Sequence, residues 1–105
     1  MNYGREILDI QDKAEHVASF LKGLANKHRL LILCQLVEGE KNVTELIEAT
    51  NIAQTSMSQH LTKLKDEGIV EFRRDHRTLY YQITHDAVQS IMAILYDNFC
   101  KEEEE

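Results

Sequence analysis

The chain has 105 residues, 43% of them hydrophobic, with no Pro and no Trp; that supports one small core and leaves no room for a second domain, so residues 1–105 are expected to act as a single unit. No apolar run reaches the roughly 18 residues of a membrane span, and the start MNYGREILDI lacks the basic and apolar stretches of a signal peptide, which predicts a cytoplasmic protein that does not touch the membrane. The formal charge of −6, from 12 Lys plus Arg against 18 Asp plus Glu, weighs against nucleic acid only if it is evenly spread; four of the acids are the terminal run Glu102–Glu105, expected to be disordered, without which the charge is −2.

The first helix is predicted from about Asp9 to Leu24, because Ile10, Ala14, Val17, Leu21 and Leu24 recur three and four apart on one face, and Ile7 can extend that stripe. Asn26 is placed to cap a second helix that ends before Gly39 and whose run Leu30, Leu31, Ile32, Leu33, Cys34, Leu36, Val37 is apolar on almost every side, as a central core helix would be. Asn42 caps a short third helix, with Glu45 three residues on to complete a capping box, and the helix stops near Thr50. After the turn Asn51-Ile52-Ala53, a fourth helix runs from about Gln54 to Glu67 and is closed by Gly68.

On that fourth helix Met57, Leu61 and Leu64 share one face, which leaves Thr55, Ser56, Gln59, Thr62 and Lys63 opposite at about 100° per residue. The exposed face is polar, and the whole segment Asn51 to Lys65 contains Lys63 and Lys65 but no acid. Next, Ile69–Arg74 and Arg77–Ile83 alternate as two strands with a turn at Asp75-His76, which puts Arg73, Arg74 and Arg77 into one basic hairpin. The last helix starts near Thr84 to Asp86, carries Val88, Ile91, Met92, Leu95 and Phe99 at helical spacing, and ends around Cys100 and Lys101.

Helix, helix, helix-turn-helix, basic hairpin and helix is the order of a winged helix-turn-helix: mainly α, with a β-hairpin wing. In that arrangement short amide and hydroxyl side chains of the fourth helix read base edges and the wing lays arginines along phosphates. Gln59 suits a bidentate contact to adenine, and Thr55, Ser56 and Ser58 suit bases or phosphates. Lys63, Lys65, Arg73, Arg74 and Arg77 are assigned to phosphate or the minor groove. His60, at the edge of the apolar stripe, is expected to be packed or to contact a phosphate rather than to read a base. The first and last helices keep apolar stripes beyond what a winged helix needs, which fits a symmetric dimer presenting two recognition helices.

Three segments carry a family resemblance: Leu24-Ala25-Asn26-Lys27-His28-Arg29-Leu30 before the second helix; Ser58-Gln59-His60-Leu61-Thr62-Lys63-Leu64 followed by Asp66-Glu67-Gly68-Ile69-Val70; and Arg77-Thr78-Leu79-Tyr80-Tyr81 in the wing. At these separations the chain resembles the ArsR family of small winged-helix repressors, from about Ala14 to Cys100. The resemblance implies a homodimer joined through the first and last helices, bound to double-stranded operator DNA at an imperfect inverted repeat and released by an inducer. It implies no metal site here. The family's third-helix thiolate site is replaced by Asn42-Val43-Thr44-Glu45-Leu46, and its last-helix zinc positions fall on His85, Ala87, Asn98 and Lys101, too few donors for Zn²⁺.

Two Cys do not make a disulfide scaffold, and Cys34 and Cys100 are too far apart for a local redox motif; taken alone, Cys34 reads as a small buried hydrophobe. Within the ArsR family, however, the BigR/SqrR type of persulfide-responsive repressor, similar to HlyU, has one Cys in the second helix and one near the end of the last. Arg29-Leu30-Leu31-Ile32-Leu33-Cys34 and Tyr96-Asp97-Asn98-Phe99-Cys100 match that pattern. The resemblance thus implies a redox-sensing pair, Cys34 and Cys100, that reacts with persulfides or polysulfides without a cofactor; a metal- or general oxidant-responsive repressor is the alternative. No phosphate loop, nucleophile triad or carboxylate pair suggests an enzyme.

Overall fold

The computed structural model describes residues 3–100, with side chains from residue 9; Lys101 and the expected disordered tail Glu102–Glu105 lie outside the described residues. Helix α1 spans Tyr3–Leu24, beginning earlier than the apolar stripe suggested because the stripe continues through Ile7 in residues without a helix breaker other than Gly4. Helix α2 spans Lys27–Leu36. Its cap forms as expected: the extended Asn26 accepts hydrogen bonds through Oδ1 from the amides of His28 at 3.0 Å and Arg29 at 3.1 Å.

Helix α3, Val43–Thr50, opens with a complete capping box, Asn42 Oδ1 accepting from the Glu45 amide and Glu45 Oε1 accepting from the Asn42 amide. Helix α4, Gln54–Asp66, closes at Gly68, whose φ of +76° suits glycine. There the Ile69 amide donates to Leu64 O and the Gly68 amide to Lys65 O, and Leu64 and Ile69 are both buried, which makes the stop a Schellman motif with its apolar contact.

Strands β2, Val70–Asp75, and β3, Thr78–Ile83, form the hairpin in the register Val70↔Ile83, Phe72↔Tyr81 and Asp75↔Thr78. Asp75 therefore belongs to the ladder. The expected turn at Asp75-His76 moves one residue on to His76-Arg77, with His76 at a φ of 58° and Arg77 at the tip. A third strand, β1, Lys41–Asn42, was not expected; it pairs antiparallel with β3 and makes the sheet order β1-β3-β2. Two residues are too few for any alternation to show in sequence.

Helix α5, Asp86–Leu95, is capped by His85 Nδ1, which accepts from the Val88 amide. The single last helix expected as far as Cys100 is instead interrupted: Tyr96–Cys100 forms a π-helical turn, a wider coil that leaves Phe99 81% exposed rather than on the apolar stripe.

The core gathers around Ile32, Leu33, Leu46, Met57, Leu61, Leu64, Val88 and Met92, each at most 1% exposed. Truncating Leu61 or Leu64 to Ala would cost about 2–5 kcal/mol and loosen α4 from its support. Arg29 is the one buried charge among the described residues; its Nη1 donates to Gly23 O and to Glu67 Oε2, both at 3.0 Å, and so ties the ends of α1 and α4 to α2. Among the described residues the C-terminal end of α1 joins this body, through buried Leu24 and through Phe20 stacked on His85 with ring centroids 5.0 Å apart. The radius of gyration is 16.4 Å, against about 13 Å for a compact domain of this length.

Candidate nucleic-acid interface and dithiol pair

The exposed face of α4 is held in place by its opposite face: with Met57, Leu61 and Leu64 buried, Thr55, Ser58, Gln59, Thr62 and Lys63 face solvent, and Ser56 is half-buried. Ser58, Gln59, Thr62 and Lys63 line an open depression along the helix. No side chain caps α4, so the first amides of the helix remain available at the same end as Gln54 and Thr55. Beside them, Asn42, Thr44, Gln54, Ser58, Arg77 and Thr78 surround a polar cavity of about 330 Å³ where the α3 start, the α4 start and the wing converge. Arg77 and Ser58 were expected in an interface. Thr44 and Gln54 were not, because β1 and the hairpin bring them there, and nothing local marks them.

The basic residues divide. Lys63, Arg74 and Arg77 are exposed and form no ion pair among the described residues. Lys65 lies 3.8 Å from Glu71 and over the Phe72 ring. Arg73 was expected on phosphate but is occupied in this structure: its Nε lies 2.9 Å from both carboxylate oxygens of Glu40, its guanidinium stacks 4.5 Å above the Tyr80 ring, and the bonded carboxylate raises its pKa. Glu40 in turn is pulled below the usual carboxylate range by that hydrogen bond.

His60 turns from the solvent face toward α2, its ring edge-on to His28 with centroids 5.5 Å apart and its Nδ1 buried without a partner. Burial, with the nearby His28, Arg29 and Lys63 charges, lowers its pKa. The imidazole is packed against α2, one of the two placements expected for it.

The two cysteines are neighbours: Cys34, on α2, is buried and Cys100, at the end of the π turn, is exposed; both are free thiols, and Cys100 is near enough to raise the Cys34 pKa. Burial, then the Cys100 thiol and the negative charge of Glu38, push the Cys34 thiol up to about 12, so Cys34 is protonated at neutral pH. Glu38 also accepts a hydrogen bond from the Tyr96 hydroxyl, which raises the phenol to about 12. Neither Glu38 nor Tyr96 was expected in the site, yet a sequence signal exists: Glu38 follows Cys34 by four residues and Tyr96 precedes Cys100 by four. Among the described residues no three His, Cys, Asp or Glu side chains are grouped to hold a metal ion.

A three-stranded sheet with a hairpin wing, set against a helix-turn-helix whose second helix shows a polar face without an acid before Asp66, defines a winged helix-turn-helix DNA-binding protein. The family model for the bacterial regulatory protein, arsR family, matches residues 26–71, from the α2 cap into β2. The biofilm growth-associated repressor of Xylella fastidiosa is 38% identical over 97 residues, covering 92% of this chain and 85% of that protein. The transcriptional activator HlyU of Vibrio cholerae is 30% identical over 93 residues, covering 89% and 86%. The crystal structure of the transcriptional regulator HlyU from Vibrio vulnificus superposes with a TM-score of 0.85 at 32% identity, over 90% of this chain and 99% of that one. This chain belongs to the ArsR family and is a transcriptional regulator, not an enzyme.

Proposed function

We propose that this protein is a cytoplasmic repressor whose residues 1–105 act as one unit, a homodimer on an imperfect inverted repeat of operator DNA, released when Cys34 and Cys100 react with a persulfide or polysulfide. The observation that carries the reading is the neighbouring pair of free thiols, one buried on α2 and one exposed on the π turn, with Cys100 near enough to raise the Cys34 pKa. Their inequality suits two successive steps: exposed Cys100 takes sulfur first, and buried Cys34 resolves the product into an intramolecular bridge. Homodimerisation is supported by the α1 stripe, where Ile10, Val17 and Leu21 stay 64%, 49% and 45% exposed, and by Ile94 at 63% and Phe99 at 81% near the chain's other end. Among the described residues of the single chain nothing covers them.

Operator contact is assigned to Thr55, Ser56, Ser58 and Gln59 for bases and nearby phosphates, and to Lys63, Lys65, Arg74 and Arg77 for the backbone, with Arg73 contributing only if it leaves Glu40. A bridge between α2 and the π turn changes how α5 sits on the core and so biases the relative orientation of two protomers. A bias of about 3 kcal/mol between orientations lowers operator occupancy over a hundredfold. The test is gel-shift titration and intact-protein mass spectrometry of parent, Cys34→Ser and Cys100→Ser proteins, before and after cysteine persulfide. The expected result is near-equal affinity of all three when reduced, and release with an intramolecular bridge in the parent only. Persulfide release of Cys34→Ser, or equal release of the parent by zinc, would overturn the reading.

A further inference from the structure

The turn after α2 and the π turn are joined by the Tyr96 hydroxyl, which donates to Glu38, and in the same neighbourhood Cys100 is near enough to Cys34 to raise its pKa. In sequence Glu38 follows Cys34 by four residues and Tyr96 precedes Cys100 by four. The π turn has no buried residue, and its remaining side-chain tie is Asn98 Nδ2 donating back to Ile94 O within the same helix. Nothing else polar among the described residues joins it to α2.

We propose that Tyr96 and Glu38 are positioning residues of the thiol pair: their hydrogen bond adds a polar tie to the core packing of the Tyr96 ring and so keeps Cys100 beside Cys34 for bridge closure. This rests on the persulfide reading above and deepens it. Closure is the step that needs the geometry. First, the Cys100 thiolate takes the outer sulfur of a persulfide, whose S–S bond breaks to release the parent thiolate, and Cys100 then bears a terminal S–SH. Cys34 next gives its proton to solvent and attacks Cys100 Sγ; an Sγ–Sγ bond forms, the Cys100 S–SH bond breaks, and hydrosulfide leaves with the electron pair. The dithiol is oxidised by two electrons and the persulfide sulfur is reduced. The first step uses one exposed thiol and needs no alignment, whereas the second depends on the fraction of time Cys100 spends in line with Cys34.

The experiment is stopped-flow mixing with cysteine persulfide and quenching by alkylation, with mass spectrometry separating the Cys100 persulfide from the closed bridge in the full chain. Tyr96→Phe keeps the ring and loses the hydroxyl; its first step should match the parent and its closure should be roughly tenfold slower, the scale of losing one hydrogen bond to a charged group. Glu38→Gln and Glu38→Ala both lose the charge beside Cys34, but only Gln can still accept from Tyr96, so closure should be roughly tenfold faster in Glu38→Gln than in Glu38→Ala. Glu38 is exposed, so these two variants retain the fold even if the Tyr96 change does not. Equal closure in the Gln and Ala variants overturns the positioning role while the persulfide reading stands. A parent that forms no Cys34–Cys100 bridge overturns both.

Discussion

Gln59 shows what one residue decides in this fold. It stands on the exposed side of α4 with its neighbours' apolar partners locked below it, so its amide is presented at a fixed height above the helix-turn-helix. Gln59→Ala should cost about 1–3 kcal/mol on operator DNA and relax the preference at one base pair, read by competition against single-base operator variants; an equal loss on random DNA would remove it as a base reader. His60, next in the chain, has a different consequence. Its pKa in the folded protein lies below the unfolded value of 6.5, so the folded state binds fewer protons; its contribution to stability is present above about 6.5 and is lost as pH falls toward the lowered value. Melting temperatures at pH 5.5 and 7.5 should differ more for the parent than for His60→Gln. The solvent face of Gln59 was legible from the period of Met57, Leu61 and Leu64. The inward turn of His60 was legible only as a residue at the edge of that stripe, because the partner that settles it, His28, is on another helix.

The wing is the clearest test at the level of elements. With Asp75 in the ladder and the turn at His76-Arg77, Arg77 is carried at the hairpin tip beside the α3 and α4 starts. Arg77→Ala should therefore weaken operator and random DNA alike and flatten the salt dependence of log K by about one unit, measured by titration across a salt series. The helix-turn-helix, its capping box and the glycine stop of α4 were all readable because each is signalled within four residues. Strand β1 and the π turn were not. A two-residue strand exists only because β3 offers a free edge, and a π turn differs from an α-helix by a hydrogen-bonding register that apolar spacing does not encode.

At the scale of the molecule, Ile10, Val17 and Leu21 of the α1 stripe stay exposed among the described residues while Leu24 enters the core, although the same spacing in sequence fits an internal core equally well. Only the folded arrangement, in which α1 leaves the body after its last turn, separates the two. Val17→Glu with Leu21→Glu should yield monomers by sedimentation and remove operator binding while leaving the spectrum of the winged body intact; a folded monomer that binds with full affinity would exclude pairing through α1. If two recognition helices are presented together, operator half-sites should lie about 10 base pairs apart or a multiple of that, as footprinting would show. The pairing of Arg73 with Glu40 has a thermodynamic consequence of its own. A cation already neutralised by a carboxylate in its own chain brings no condensed salt ions off the DNA when it docks, so the entropy that rewards any basic surface on any sequence is withheld at this position. In a chain with a net charge of −6, that built-in counterion leaves one cation fewer to attract DNA of any sequence.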